Sequence, residues 1–291
     1  MPAYNSARFL TEAVESVLAQ TTGDFELLAI YDESADESRA ILERFERQDR
    51  RVRVIQGGNK GLIGALNQGV DAARGEYVAR MDADDVCAPR RFEKQLELMQ
   101  REGADVCGGH FHMIDQSGRF LDSFIVPVVP ESILVALALS VPFAHGSVML
   151  RRSFMESHGV RYGAGEYKSA EDYALWVRLH DLGAKFRNVD DWIFSYRRHD
   201  VSASQRGRNK VERDRRRISL QFIRTHRDQV MKSLASLRGK EVSAREEETM
   251  AQVAFILALR HFRFEALPAL RTLGVRVLML GFYRAARDAL F

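Results

Sequence analysis

Apolar residues recur every three or four positions over residues 9–19, where Leu10, Val14, Val17 and Leu18 share one face, and this spacing predicts a helix. The apolar run 25–31 reads as a strand that ends in a polar loop, 32–38. Ile41, Leu42 and Phe45 mark a second helix, residues 52–55 a second strand, and Gly57 to Gly61 a glycine-rich turn. A helix over 62–73 and a strand over 77–81 follow, the strand running directly into Asp82, Asp84 and Asp85. Strands alternating with helices predict a parallel sheet with crossover connections. Ligands of such sheets bind beyond the carboxyl ends of the strands, where both acidic loops fall.

Past residue 110 the pattern changes. Residues 106–113 and 120–126 read as strands joined by a turn at 116–118, residues 130–139 as a helix and 146–150 as a strand. Residues 169–182 read as a helix whose apolar side is Tyr173, Trp176, Val177 and Leu179. From Arg206 the chain reads as helical, and 267–291 is amphipathic with Arg271, Arg276, Arg284 and Arg287 interspersed. No internal repeat is visible. The expected organisation is an α/β domain over 1–204 and a helical extension over 205–291.

With 291 residues, 46% of them hydrophobic, the composition excludes a disordered or fibrous chain. The overall balance of 43 Lys+Arg against 40 Asp+Glu conceals an asymmetry, because beyond Ser204 the basic residues outnumber the acidic ones by 19 to 9. The body is therefore acidic, as a metal site requires, and the tail basic, as anionic lipid or nucleic acid would require. Cys87 and Cys107 form no disulfide framework or CxxC pair, which points to the cytosol. No apolar run reaches the ~18 residues of a membrane span, since the stretch 125–144 is broken by Pro127, Pro130, Glu131 and Pro142. The opening MPAYNSARFL lacks the charged and apolar regions of a secretory signal.

Six segments in order, MPAYN, AIYDESADES, GGNKGLIGALNQGVDAARGEYVARMDADD, HGSVMLRR, AEDYALWVRL and YRRHDVSAS, make residues 1–204 resemble the inverting glycosyltransferases of family 2. The resemblance implies a GT-A fold: a Rossmann-like α/β domain with a mixed, mainly parallel sheet flanked by helices, followed here by the helical C-terminal extension. It implies transfer of one sugar from a nucleotide-sugar donor, UDP-linked, to a glycan or lipid-linked glycan acceptor, with Mn²⁺ or Mg²⁺ as cofactor, in cell-surface polysaccharide biosynthesis. Pro2, Ala3 and Tyr4 would wall the nucleobase and Asp32 accept its N–H. Asp82 would bind the ribose or the ion's water shell, and Asp84 the ion. His199 would complete the ion's shell or touch the diphosphate, and Arg197 or Arg198 neutralise phosphate charge. Asp172 matches the base that takes the acceptor's proton, with Glu171 and His145 on the acceptor side. Asn59, Gly61, Asn67 and Gly69 resemble the helix beneath the donor and read as architecture, Gly61 for helix entry and Gly69 for close packing. Asp85 reads as a cap for the segment through Pro89 to Met99.

The chain departs from the family twice. The apolar strand expected before P-x-Y-N is missing, which implies a natural start upstream of Met1 or a compromised version, and Tyr31 stands where the family often has the first Asp of a pair. The Q-x-x-R-W signature of processive members is absent, so single-sugar transfer is expected.

Each candidate also has a plain structural reading. Asp32 could be an Asx-turn, the DADD loop an ordinary strand end, Ser169 with Asp172 a capping box, and His199 a solvated loop residue. Cys107, His110 and His112 lack the fourth partner of a zinc site. A nucleotidylyltransferase would need a glycine-rich triphosphate loop near the first strand, where this chain offers P-A-Y-N. A catalytically inactive donor-binding homologue and a nucleic-acid binder using the basic tail remain as alternatives. The second is disfavoured because Phe222, Phe262 and Phe264 are too sparse among the arginines for base stacking. The expected location is the cytoplasm, with peripheral contact at the inner face of the membrane through the C-terminal helices.

Overall fold

The computed structural model describes residues 1–165, 167, 169–199, 208–237, 240, 242 and 244–261. The amphipathic stretch expected at 267–291 lies outside the described residues. Two compact units are present: Met1–Val126 with Phe143–Arg206, and Pro127–Pro142 with Gly207–Phe291.

The first unit opens with a three-stranded parallel sheet. Strand β1 (Pro2–Ala3) pairs with β2 (Leu27–Tyr31), and β2 with β3 (Val52–Gln56). Every residue of β2 is buried, as a strand covered on both faces must be. One face packs on α1 (Ala7–Leu18) and α2 (Ser38–Gln48) through Leu10, Val14, Val17, Leu42 and Phe45. The other meets Ala65 of α3 (Gly61–Ala72) through Leu28 and Ile30. Gly61 has φ +68°, a backbone that glycine enters without steric cost, so it serves helix entry as expected. A Cβ on Gly69 would find only ordinary contact with Ile30, so close packing does not require that glycine.

The second sheet of this unit is mixed. Strands β4 (Tyr77–Ala79), β8 (Met149–Arg151), β6 (Val106–Ile114), β9 (Phe186–Arg197) and β5 (Val86–Cys87) lie in that order, and β7 (Phe120–Phe124) pairs with the free edge of β6. The pair β6–β9 is parallel and the others are antiparallel. Helix α4 (Arg91–Glu102), a short α6 (Arg152–Ser157) and α7 (Glu171–Asp181) complete the unit.

The pattern expected a strand from 146, but His145–Ser147 is a 3-10 turn and β8 begins at Met149. The turn is closed at Ala144, whose carbonyl accepts both the main-chain N–H (3.0 Å) and the hydroxyl (2.8 Å) of Ser147. The second unit contains α5 (Pro130–Leu137), α8 (Arg208–Thr225), α9 (Arg227–Ser236) and α10 (Ala244–His261), with α5 packed on α9 and α10. Among the described residues no helix is long and apolar enough to cross a membrane.

Candidate active site

At the carboxyl end of β2, Asp32 turns inward. Its Oδ1 accepts the main-chain N–H of Asn59 at 3.0 Å, and its own N–H donates to the carbonyl of Ala3 at 3.1 Å. Gly57 makes this possible, because a Cβ there would lie 2.0 Å from Asp32 Oδ1. Pro2 and Ala3 thus stand beside Asp32, while Tyr4 is 62% exposed at the rim. The carboxylate does more than close a local turn: it ties the loop after β2 to the loop after β3.

The second acidic group follows β4. Asp82, Asp84 and Asp85 place one oxygen each within 4.8 Å of one another. Asp82 pairs with the buried guanidinium of Arg80, and Asp84 Oδ2 lies 2.8 Å from His199 Nε2, so the two ion-ligand candidates from distant parts of the chain meet. Met1, ahead of Pro2, lies within electrostatic reach of Arg80 and Asp82, which joins β1 to this loop. Burial raises the Asp82 carboxyl above its ordinary range, and the Asp84 charge adds to this against the pull of Arg80.

Asp85 does not cap the following segment. It is buried, and its Oδ1 accepts the main-chain N–H of Arg197 at 2.7 Å, so it binds the loop to the end of β9. Burial first, then the neighbouring Asp82 and Asp84, push its carboxyl well above the ordinary value.

Arg197 also departs from expectation. Its side chain is 2% exposed and is taken up by the protein. Nε donates to the Asp84 carbonyl (2.8 Å), one terminal nitrogen to the Asp115 carbonyl (3.3 Å) and the other to Glu12 Oε2 (2.5 Å), over the ring of Phe9. Three of its five N–H groups are thus taken up within the protein, and its charge supports the acid loop.

Helix α7 carries the next two candidates. Its N-cap is Ala170 and no side chain caps it, so the capping box of Ser169 and Asp172 is not formed. Glu171 and Asp172 occupy the first turn, where the helix dipole favours carboxylates. Tyr162, a residue that sequence reasoning missed, is buried beside His145. Its buried phenol is held above its ordinary pKa first by desolvation and then, against the pull of Arg80, by Asp172, Glu171 and Asp82, which are all within electrostatic reach. His145 Nε2 lies 3.3 Å from that hydroxyl, and burial together with Arg80 keeps the imidazole neutral. Arg80 was also missed, although a lone charge in the apolar strand Y-V-A-R-M was a visible signal; Tyr162, in a loop, offered none.

Asp82, Asp84 and His199 therefore meet, His145 contacts Tyr162, and Tyr162 is within electrostatic reach of Asp82, Glu171 and Asp172, while Pro2 and Ala3 join Asp32 through β1. Asp32 makes no hydrogen bond to Asp82 or Asp84. An α/β domain with acidic groups gathered at its strand ends is the architecture of a GT-A glycosyltransferase, and the comparisons agree. The sequence profile of "Glycosyl transferase family 2" matches residues 1–159. Glycosyltransferase GlyG of Streptococcus pneumoniae serotype 4 is 30% identical over 217 residues, covering 69% of this chain and 70% of that one. EpsE of Bacillus subtilis, named as a glycosyltransferase, is 30% identical over 205 residues, covering 68% and 71%. TuaG of the same organism, named for teichuronic acid biosynthesis, is 30% identical over 198 residues, covering 67% and 76%. The structure of S. aureus TarS 1-349 in complex with UDP-GlcNAc superimposes with a TM-score of 0.58 at 17% identity, covering 99% of this chain and 87% of that one, a likeness of fold. The chain belongs to glycosyl transferase family 2 and is a glycosyltransferase.

Proposed function

We propose that the protein moves one sugar, with inversion, from a UDP-sugar to a glycan or glycolipid acceptor in cell-surface polysaccharide biosynthesis, using a divalent ion. Residues 1–204 would be the catalytic part and 205–291 an extension that meets the inner face of the membrane. The observation that carries this reading is the meeting of Asp82, Asp84 and Asp85 within 4.8 Å of one another, with His199, from a distant part of the chain, 2.8 Å from Asp84.

The donor set fits a hard divalent ion: two carboxylates and an imidazole, with Asp84 and His199 already in contact. Asp84 and His199 would hold Mn²⁺ or Mg²⁺, with Asp82 reaching the ion's water or the ribose. Bound there, such an ion would neutralise the negative charge of a departing diphosphate. Asp32, with Pro2, Ala3 and Tyr4 around it, would hold the base. Asp172, in the first turn of α7, would take the acceptor hydroxyl's proton as that oxygen attacks the anomeric carbon. His145, neutral at physiological pH, and Glu171 would orient the acceptor. The names of TarS's ligand and of TuaG's pathway support the donor and the process.

The test is a thermal-shift panel of nucleotide sugars with and without Mn²⁺. UDP-sugar with Mn²⁺ should raise the melting temperature of the wild type and not that of Asp84→Asn. Asp172→Asn should bind the donor and transfer nothing. Equal responses of wild type and Asp84→Asn would remove the ion site, and transfer by Asp172→Asn would remove the base.

A further inference from the structure

The hydroxyl of Tyr162 is poorly served by the protein. Among the described residues its hydrogen-bond partner is His145 Nε2 at 3.3 Å, longer than the 2.5–3.0 Å that a hydroxyl donor takes up with oxygen and close to the limit for any hydrogen bond. A buried hydroxyl left on so long a contact costs free energy, so its retention at this place asks for a reason.

Its position is nevertheless fixed with care. The side-chain amide of Asn67, on α3, reaches the Tyr162 main chain at both polar atoms: Nδ2 donates to the carbonyl at 3.0 Å and Oδ1 accepts the N–H at 2.8 Å. This two-point clamp spans 95 residues of sequence and ties the helix that follows the Asn59 loop to the segment that precedes α7. The next residue, Gly163, has φ +69° and lies against Ile63, one helical turn before Asn67, where a Cβ would come within 2.8 Å of the isoleucine. Two features of α3, at positions four apart on one face, thus fix the Tyr162 main chain.

Its ring lies 5.5 Å from that of His145, which itself meets Trp176 of α7 at 5.7 Å. A Cβ on the adjoining Gly146 would lie 2.9 Å from Asp85 and 3.0 Å from Arg80 at the acid loop. Tyr162 thus stands between the elements that carry Asp82 and Asp172, both of which act on it electrostatically. Under the proposed reaction, on which this inference rests, the sugar in transit must lie between those two carboxylates. We infer that Tyr162 is a sugar-binding residue whose hydroxyl donates to a hydroxyl of the sugar being transferred, and that Asn67 is its positioning residue. Asn67 touches no substrate in this arrangement; it acts only through the tyrosine. The phenol stays protonated at neutral pH, so it is available as a donor.

The experiment compares affinity for UDP with affinity for UDP-GlcNAc, UDP-glucose and UDP-galactose by calorimetry in MnCl₂, which needs neither acceptor nor turnover. For the wild type the sugar should add affinity in at least one case. Tyr162→Phe should bind UDP as the wild type does and lose roughly tenfold in affinity for that UDP-sugar, about what one hydrogen bond is worth. Asn67→Ala should shift the same ratio, and Asn67→Asp, which keeps the acceptor oxygen, should shift it less. A merely structural role would lower the melting temperature and leave the ratio of UDP-sugar to UDP affinity unchanged. That result would overturn the inference, and so would an equal loss for UDP and UDP-sugar. Should Tyr162→Phe fail to fold, Asn67→Asp reads the same ratio. A wild type that binds none of the four nucleotides would instead defeat the proposed function, and this inference with it.

Discussion

Replacing Arg197 with methionine separates two roles that one arginine could have. The substitution keeps an unbranched apolar stem over Phe9 and deletes the donors to the carbonyls of Asp84 and Asp115 and to Glu12. The bond from this charged donor to the Asp84 carbonyl is worth about 1.5–3 kcal/mol and the longer one to Asp115 less, giving roughly 2–4 for the two. The Glu12 pair adds little, because that carboxylate is 55% exposed and screened by water. A loss of about 2–4 kcal/mol follows, roughly 5–10 °C in melting temperature for a unit of this size. Circular-dichroism melts and UDP titrations at a temperature where both proteins are folded would measure it. The expected result is a destabilised protein that still binds the UDP diphosphate at low temperature, with Mn²⁺ affinity weakened because the Asp84 loop has lost its backing. A variant as stable as wild type that no longer binds UDP would refute the reasoning and return Arg197 to the phosphate.

Two further expectations follow from the same geometry. Gly57→Ala would set a methyl group 2.0 Å from Asp32 Oδ1 and force the carboxylate off Asn59; UDP affinity should fall at least tenfold, with an overpacking cost of about 1–3 kcal/mol, and unchanged binding in calorimetry would dissociate Asp32 from the base. For pH, burial raises the Asp82 carboxyl, so the protonated form, which cannot face a cation, persists above the ordinary carboxylate range. Mn²⁺ affinity should weaken on acidification before a normal aspartate titrates, and a titration curve with its midpoint at or below pH 3.8 would contradict this.

Much of the first sheet was legible because each element carries its own signal: β2 is an uninterrupted apolar run, α1 and α2 each show one apolar face, and Gly61 marks a helix start. The acid loop was equally plain, since consecutive aspartates after a strand need a reason. What escaped depends on partners far away in sequence. Strand β9 is long, but Arg187, Asp190 and Asp191 interrupt its alternation, and its register against β6 shifts at Gly109–His110 and again at His110–Phe111. The triplet Arg197-Arg198-His199 looks like a solvated basic loop, and only Glu12, 185 residues away, shows which arginine turns inward. Tyr162 has no local mark at all; its place is set by Asn67, which reads in sequence as simple helix architecture. Helix α5 gathers with α9 and α10, and nothing in its apolar run says that it leaves the chain segment in which it lies.

The bond from the Arg197 main chain to Asp85, 112 positions apart, has a bearing on biosynthesis. As the polypeptide emerges from the ribosome, the loop with its three aspartates is complete long before the strand that brings His199 to it has been made. Such distant pairings close late in folding. Until then the newly made chain would carry a cluster of like charges with neither its arginine backing nor its imidazole. A truncated product ending at residue 159, where the family match stops, would stay in that condition permanently.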